Sequence, residues 1–183
     1  MDWNFCPHCA TPLRMLSADE EGVRKERLRC PACGFIHWNN PAPVLAAIVE
    51  YRGQVLLARN AAWPSDKMFA LITGFMEAGE TPQDCVRREV KEETDLDVAA
   101  LDLVGVYEFT RMNQVIIAYH VLAEGEVHLS PELVAFRLVD PPQLKCWPTG
   151  TGYALADWLR GQGHEPVFFT PEEFAEWRRG LNN

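Results

Sequence analysis

The sequence predicts an α/β sandwich, a mixed sheet between helices, preceded by a small four-cysteine unit. Three observations carry this reading. Residues 44–51 and 115–122 are nearly continuous apolar runs, the pattern of strands covered on both faces. A single helix with clear start signals stands between them, entered at Thr81-Pro82. Ahead of the first strand, Cys6-Pro7-His8-Cys9 and Cys30-Pro31-Ala32-Cys33 repeat a C-x2-C spacing.

In chain order, residues 1–37 form the first unit. Two such knuckles have the spacing of a tetrahedral zinc site, with Cys6, Cys9, Cys30 and Cys33 as ligands. Paired disulfides are the rival reading, disfavoured in a cytosolic chain. Four thiolates close the coordination sphere, so the zinc is structural and His8 and His37 are bystanders. The stretch between the knuckles, with Ser17-Ala18-Asp19-Glu20-Glu21-Gly22 at its centre, reads as a hairpin with a polar tip. So small a unit depends on its metal to fold. Residues 38–43, Trp-Asn-Asn-Pro-Ala-Pro, read as a stiff linker.

The core domain is expected over 44–160. Strands are predicted at 44–51 and 54–59, joined by an Arg52-Gly53 turn. A loop over 61–67, containing Trp63-Pro64, leads to a short strand at 68–72 and a glycine-rich turn at Gly74. The helix follows at 81–94. Further strands are read at 98–110, broken by Gly105, and at 115–122 and 133–139. An amphipathic helix at 150–160 turns Leu155, Trp158 and Leu159 inward. In the tail, 161–183, Thr170, Pro171 and Glu173 form a capping box that starts a short helix.

Composition narrows the class. Of 183 residues, 48% are hydrophobic, an ordinary globular fraction, and no apolar run is long enough to span a membrane. The opening MDWNFCPHC lacks the basic and apolar regions of a secretory signal, so a cytoplasmic location is expected. The net charge of −9 and pI near 5.0 argue against a nucleic-acid partner, although Arg24, Lys25, Arg27 and Arg29 form a local basic cluster. A chain this acidic needs local cations to handle an anionic substrate.

Residues 74–96 supply a place for them. At about 100° per residue, Glu89, Glu92 and Glu93 fall within one arc of the 81–94 helix. Carboxylates so crowded raise one another's pKa unless a cation sits between them, and hard cations such as Mg²⁺ or Mn²⁺ take oxygen ligands. An isolated E-x-x-E-E would be only a solvated helix face. This one resembles the Nudix box, G-x5-E-x7-R-E-U-x-E-E-x-G-U with U apolar. Gly74, Glu80, Arg88, Glu89, Val90, Glu92, Glu93 and Leu96 match in register, and the departure is Asp95 in place of glycine. That position implies a left-handed residue after the helix, which Asp tolerates better than most.

The resemblance implies a Nudix-type α/β/α sandwich over 44–160, and the leading zinc ribbon is similar to that of NADH pyrophosphatases and of FAD or ADP-ribose hydrolases. It implies hydrolysis of a nucleoside diphosphate linked to another moiety, with Glu89, Glu92, Glu93 and the Gly74 carbonyl holding Mg²⁺ or Mn²⁺. Arg88 and Glu80 would pair with each other or orient Glu89. The resemblance leaves the general base open between a box glutamate and a loop acid outside the box; Glu132, on a loop before a strand, is the loop candidate, ahead of Glu108 and Glu77. Phe109, Arg111 and Tyr107 are candidates to stack on a base or meet phosphate, as are Trp63 and Trp147 on loops. NADH pyrophosphatases carry a Ser-Gln-Pro-Trp signature after the box. Glu108–Gln114 lacks it, which moves FAD and ADP-ribose ahead of NADH. RNA-cap hydrolysis and non-catalytic nucleotide sensing are the alternatives, and a homodimer is expected from resemblance alone. Cys85 and Cys146 read as small hydrophobes.

Overall fold

The computed structural model describes residues 3–63 and 66–179, so Pro64 of the expected loop lies outside the described residues. Two compact units divide between Asn40 and Pro41, inside the stretch read as a linker.

In the first unit, β1 (Arg14–Glu20) and β2 (Val23–Arg29) form an antiparallel hairpin, paired from Arg14↔Arg29 to Glu20↔Val23. Glu21 and Gly22 turn the chain at φ 54 and 81, the left-handed pair of a two-residue hairpin turn. The short β3 (Ile36–His37) adds to β2. Among the described residues of this unit, Cys6 and Cys30 alone are buried. A hairpin without an apolar core leaves the thiols as its source of stability. The basic cluster is partly cancelled: Arg27 donates to Glu20 at 2.9 Å, Arg29 also bonds Glu20, and Lys25 lies 3.8 Å from it.

The second unit is built on a six-stranded sheet. Its strands are β4 (Ala42–Tyr51), β5 (Gln54–Asn60), β6 (Ile72–Phe75), β7 (Asp97–Phe109), β8 (Gln114–Glu124) and β9 (Leu133–Val139). The order is β7-β8-β4-β5-β9, with β6 beside β4. Parallel pairing joins β4 to β8, and every other pair is antiparallel, so the sheet is mixed. The two apolar runs are its centre. Leu45, Ala47 and Val49 face α1 (Pro82–Thr94), where they meet Cys85, Val86 and Val90. Alternate residues Val44 and Ala46 pack with Ala154, and Ile48 packs with Leu155 and Leu159, all on α2 (Thr151–Gly161). Period-two alternation on one doubly buried strand thus makes the α/β/α layers.

Several boundaries differ from expectation. Ala42 and Pro43 already belong to β4, and proline is tolerated there because it stands at the strand's start. The strand expected at 68–72 shrinks to a bridge between Ala58 and Ala70, and β6 begins later to pair Ala47–Val44 with Ile72–Phe75. Gly74, read as a turn, is therefore a strand residue. Gly105 does not break β7 but sits at a bulge, where the register with β8 shifts. The two-residue strands β10 (Lys145–Cys146) and β11 (Val167–Phe168) pair in parallel and were not predicted, since two residues carry no periodicity. The capping box is present at α3 (Pro171–Arg178), with Thr170 accepting from Glu173 N at 3.2 Å and Glu173 accepting from Thr170 N at 3.0 Å. Among the described residues no helix is long and apolar enough to cross a membrane.

Candidate active site

The site grows from the two ends of α1. Thr81 caps its start by accepting from Asp84 N at 3.2 Å, with Pro82 in the first turn. Asp95 ends it at φ 59 and ψ 8, donating its N–H to Lys91 O at 2.9 Å. Lys91 returns hydrogen bonds to the Asp95 carbonyl at 2.9 Å and its carboxylate at 2.8 Å. The aspartate thus takes the left-handed conformation glycine would adopt, and its side chain gains partners that glycine lacks.

Arg88 ties the loop, the strand and the helix together. It donates twice to Glu80, at 3.1 and 2.9 Å, and to Glu89 at 2.7 Å, Glu92 at 3.2 Å and the Phe75 carbonyl at 3.2 Å. Glu80 also accepts from Glu77 N at 2.5 Å. Pairing with Glu80 and orientation of Glu89, expected as alternatives, are both made by one planar fork. The Arg88 guanidinium holds the Glu80 carboxyl down at about 2. Burial raises Glu89 above its ordinary range even with Arg88 beside it. Glu93 is pushed up to about 7, first by burial and then by Glu89, Glu132 and Glu92.

The Glu132 contribution places the loop acid beside Glu93. Ser130 N donates to the Glu93 carbonyl at 3.1 Å, and the Glu132 carbonyl accepts from Ala61 N at 2.7 Å. This anchors the loop at the end of α1, where the Glu132 charge acts on Glu93. Gly74 sits on β6 directly against the Glu89 carboxyl: a Cβ there would stand 1.8 Å from the carboxyl carbon. Only a bare backbone lets the strand and that carboxylate approach so closely. The partly desolvated Glu89 and Glu93 carboxylates, with the exposed Glu92 on the same helix, fit a hard divalent cation, whose charge would offset their mutual repulsion.

In the first unit the four cysteine sulfurs lie within 4.8 Å of one another. Cys6–Cys33 and Cys9–Cys30 are each 3.5 Å apart, far longer than a disulfide and close to the roughly 3.8 Å edge of a tetrahedron of zinc-bound thiolates. The His8 imidazole meets the edge of Phe35 and that of His37 stacks on Trp3, while the His8 backbone N–H donates to Cys6 Sγ at 3.4 Å.

Phe109 and Arg111 line a cavity of about 210 Å³ on the α2 side of the sheet, together with Trp63 and Trp147. The Arg111 guanidinium lies 5.6 Å from the Phe109 ring. Tyr107 is occupied elsewhere: its hydroxyl donates to Asp157 at 2.9 Å, fastening α2 to β7. Trp147 is no exposed loop residue but is buried and stacked on Trp177. Cys85 and Cys146 are buried, and burial pushes their thiols up to about 12 and about 11, consistent with packing and not nucleophilic roles. Thr73, Phe174, Trp177 and Arg178 also line the cavity and were missed. The i, i+3, i+4 spacing of the last three was the available signal, but on a short tail helix it reads equally as packing.

Comparison with known proteins agrees with this geometry. The NUDIX domain family matches residues 40–160, and the Nudix N-terminal zinc-ribbon family matches 4–39. The chain is 32% identical over 124 residues to the NAD-capped RNA hydrolase NudC of Pseudomonas aeruginosa, covering 67% of this chain and 42% of that protein. It is 38% identical over 97 residues to the protein of the same name from Chromobacterium violaceum, covering 53% and 34%. The chain thus spans less than half the length of these relatives. A NUDIX hydrolase from Nitrosomonas europaea superposes with a TM-score of 0.73 at 25% identity, over 91% of this chain and 97% of that one. The chain belongs to the Nudix hydrolase family, as a Nudix domain preceded by the family's N-terminal zinc ribbon.

Proposed function

We propose that this protein is a Mg²⁺- or Mn²⁺-dependent pyrophosphohydrolase that cleaves a nucleoside diphosphate linked to another moiety, FAD or ADP-ribose first among them. The observation that carries this reading is the gathering of Glu80, Glu89 and Glu92 on Arg88, with Glu93 close enough to feel the charges of Glu89 and Glu92 and with Gly74 leaving room for the Glu89 carboxylate. A divalent ion held by these three glutamates and the Gly74 carbonyl would neutralise charge on the pyrophosphate and acidify the attacking water. Arg88 and Glu80 position Glu89. Glu132 takes the proton of the attacking water as general base, while Phe109 and Arg111 meet the base and phosphate of the substrate. Cys6, Cys9, Cys30 and Cys33 hold a structural zinc. The chain acts in the cytoplasm as a homodimer over domains 1–37, 44–160 and 161–183, with 38–43 as linker.

A second reading, an NAD-type pyrophosphate including the NAD cap of an RNA, is favoured by the name shared by the relatives described above. All these substrates contain an adenosine 5′-phosphate half. A coupled phosphate-release assay on FAD, ADP-ribose, NADH, diadenosine polyphosphates and NAD-capped RNA ranks them. Glu92→Gln and Glu93→Gln should lose turnover on every one while remaining folded. Wild-type rates from either variant would sink the proposal.

A further inference from the structure

The cavity beside Phe109 is closed by a segment outside the matched Nudix residues. α3 contributes Phe174, Trp177 and Arg178 to its lining, while Thr73 brings it within one residue of Gly74. Trp177 stacks on Trp147 with ring centres 5.5 Å apart and planes at 13°, and on Phe174 at 5.8 Å and 20°. These stacks fix the Trp177 ring in the cavity wall, where a planar ligand would pack against the part of it that they leave open. At about 210 Å³ the space is smaller than the roughly 300–1,000 Å³ of sites that enclose a whole drug-sized ligand, so it fits one ring system and not an entire dinucleotide.

The charges in the lining are of one sign. Arg111 and Arg178 form no ion pair among the described residues, in a chain whose net charge is −9. Arg178 Nε is shielded from solvent with no hydrogen-bond partner among the described residues. That nitrogen is closed to the cavity, so a phosphate would meet the terminal nitrogens of the guanidinium, for which the described residues offer no anionic partner. Gln114, also in the lining, offers a carboxamide that both donates and accepts, as the edge of an adenine requires.

We infer that α3 is part of the ligand site: Trp177 and Arg178, with Phe109, Arg111 and Gln114, form a subsite for an adenine-type base and its adjacent phosphate. The inference rests on the pyrophosphohydrolase reading for its substrate class, but its test needs no turnover. Binding of AMP to the full, zinc-loaded chain in Mg²⁺-free buffer is followed by tryptophan fluorescence and calorimetry, with ribose 5-phosphate as the probe lacking a base. AMP should bind at least tenfold more tightly than ribose 5-phosphate. Arg178→Ala and Trp177→Ala should each weaken AMP at least tenfold, Arg178→Lys less, and Glu172→Ala, on the exposed side of α3, not at all. Because Trp177→Ala removes a stacking partner of Trp147, circular dichroism and Trp177→Phe guard against a folding defect; Arg178 makes no ion pair whose loss would unseat the helix. With a hydrolysed dinucleotide the same variants should raise KM tenfold while kcat stays within threefold. AMP affinities within threefold of the parent in Arg178→Ala and in a folded Trp177→Ala, or no AMP binding to the parent, overturn the inference even if hydrolysis is found. Loss of AMP binding in the variants of a chain that hydrolyses nothing would uphold the subsite and remove the enzymatic reading.

Discussion

Gly74→Ala is the sharpest probe of the proposed metal site, because it adds one methyl group and no charge. The Gly74 backbone lies outside the left-handed region, so alanine meets no local strain there. The obstacle is Glu89. With the new Cβ 1.8 Å from the carboxyl carbon, ordinary contact at about 3.5 Å requires a retreat of roughly 1.7 Å. If the side chain retreats, it leaves the 2.7 Å hydrogen bond from Arg88; if the strand retreats, the Leu45↔Gly74 pairing opens. Either movement exceeds the roughly 1 Å misplacement that can cost about 100-fold in rate. The expected result is a fall in kcat/KM of at least about 100-fold, about 2.7 kcal/mol of transition-state stabilisation, with weaker Mg²⁺ binding. The assay is coupled phosphate release on FAD or ADP-ribose at several Mg²⁺ concentrations, beside circular dichroism for folding. Gly79→Ala is the converse control. Gly79 has φ 93 and nothing within 4 Å of its would-be Cβ, so that variant should lose about 1 kcal/mol of stability and little activity. A folded Gly74→Ala protein with kcat/KM within threefold of the parent would refute the assignment of Glu89 to the metal.

Other outcomes follow from the same geometry. Arg88→Lys removes the fork that spans Glu80, Glu89 and Glu92, and should cost about 10- to 100-fold in activity or Mg²⁺ affinity; calorimetric Mg²⁺ titration unchanged from the parent would contradict its positioning role. Glu93 has a folded-state pKa of about 7 against an ordinary 4.5, so its contribution to stability is fully present below about 4.5 and is lost as pH rises through 7. Thermal unfolding in Mg²⁺-free buffer should therefore show the midpoint rising as pH falls from 8 to 6, and the stabilisation conferred by Mg²⁺ shrinking over the same interval; Mg²⁺ stabilisation independent of pH would argue against Glu93 as a ligand. Chelating the zinc should expose the Arg14–Arg29 hairpin to rapid proteolysis while the second unit keeps its cooperative transition, and a hairpin equally resistant without zinc would remove the metal from its folding.

What the sequence determined alone is what short windows encode. The C-x2-C pairs, the Thr81-Pro82 and Thr170-Glu173 caps, the left-handed Asp95 and the doubly buried strands 44–51 and 115–122 each depend on neighbours a few residues away. In each case the local chemistry has one low-energy arrangement. The glutamate arc was legible for the same reason, since helical period alone places Glu89, Glu92 and Glu93 on one side of α1. Tertiary structure decided what depends on partners far along the chain. Gly74 is a strand residue because β6 registers against β4, and it must be glycine because Glu89 reaches it from α1. Glu132 acts on Glu93 only because its loop is hydrogen-bonded to the end of that helix. Tyr107 is kept out of the cavity lining by its hydrogen bond to Asp157, and Arg27 and Arg29 are drawn from a basic surface by Glu20. The aromatic wall of α3 meets Trp147 across a long stretch of chain, a contact set by packing that no local pattern of residues specifies.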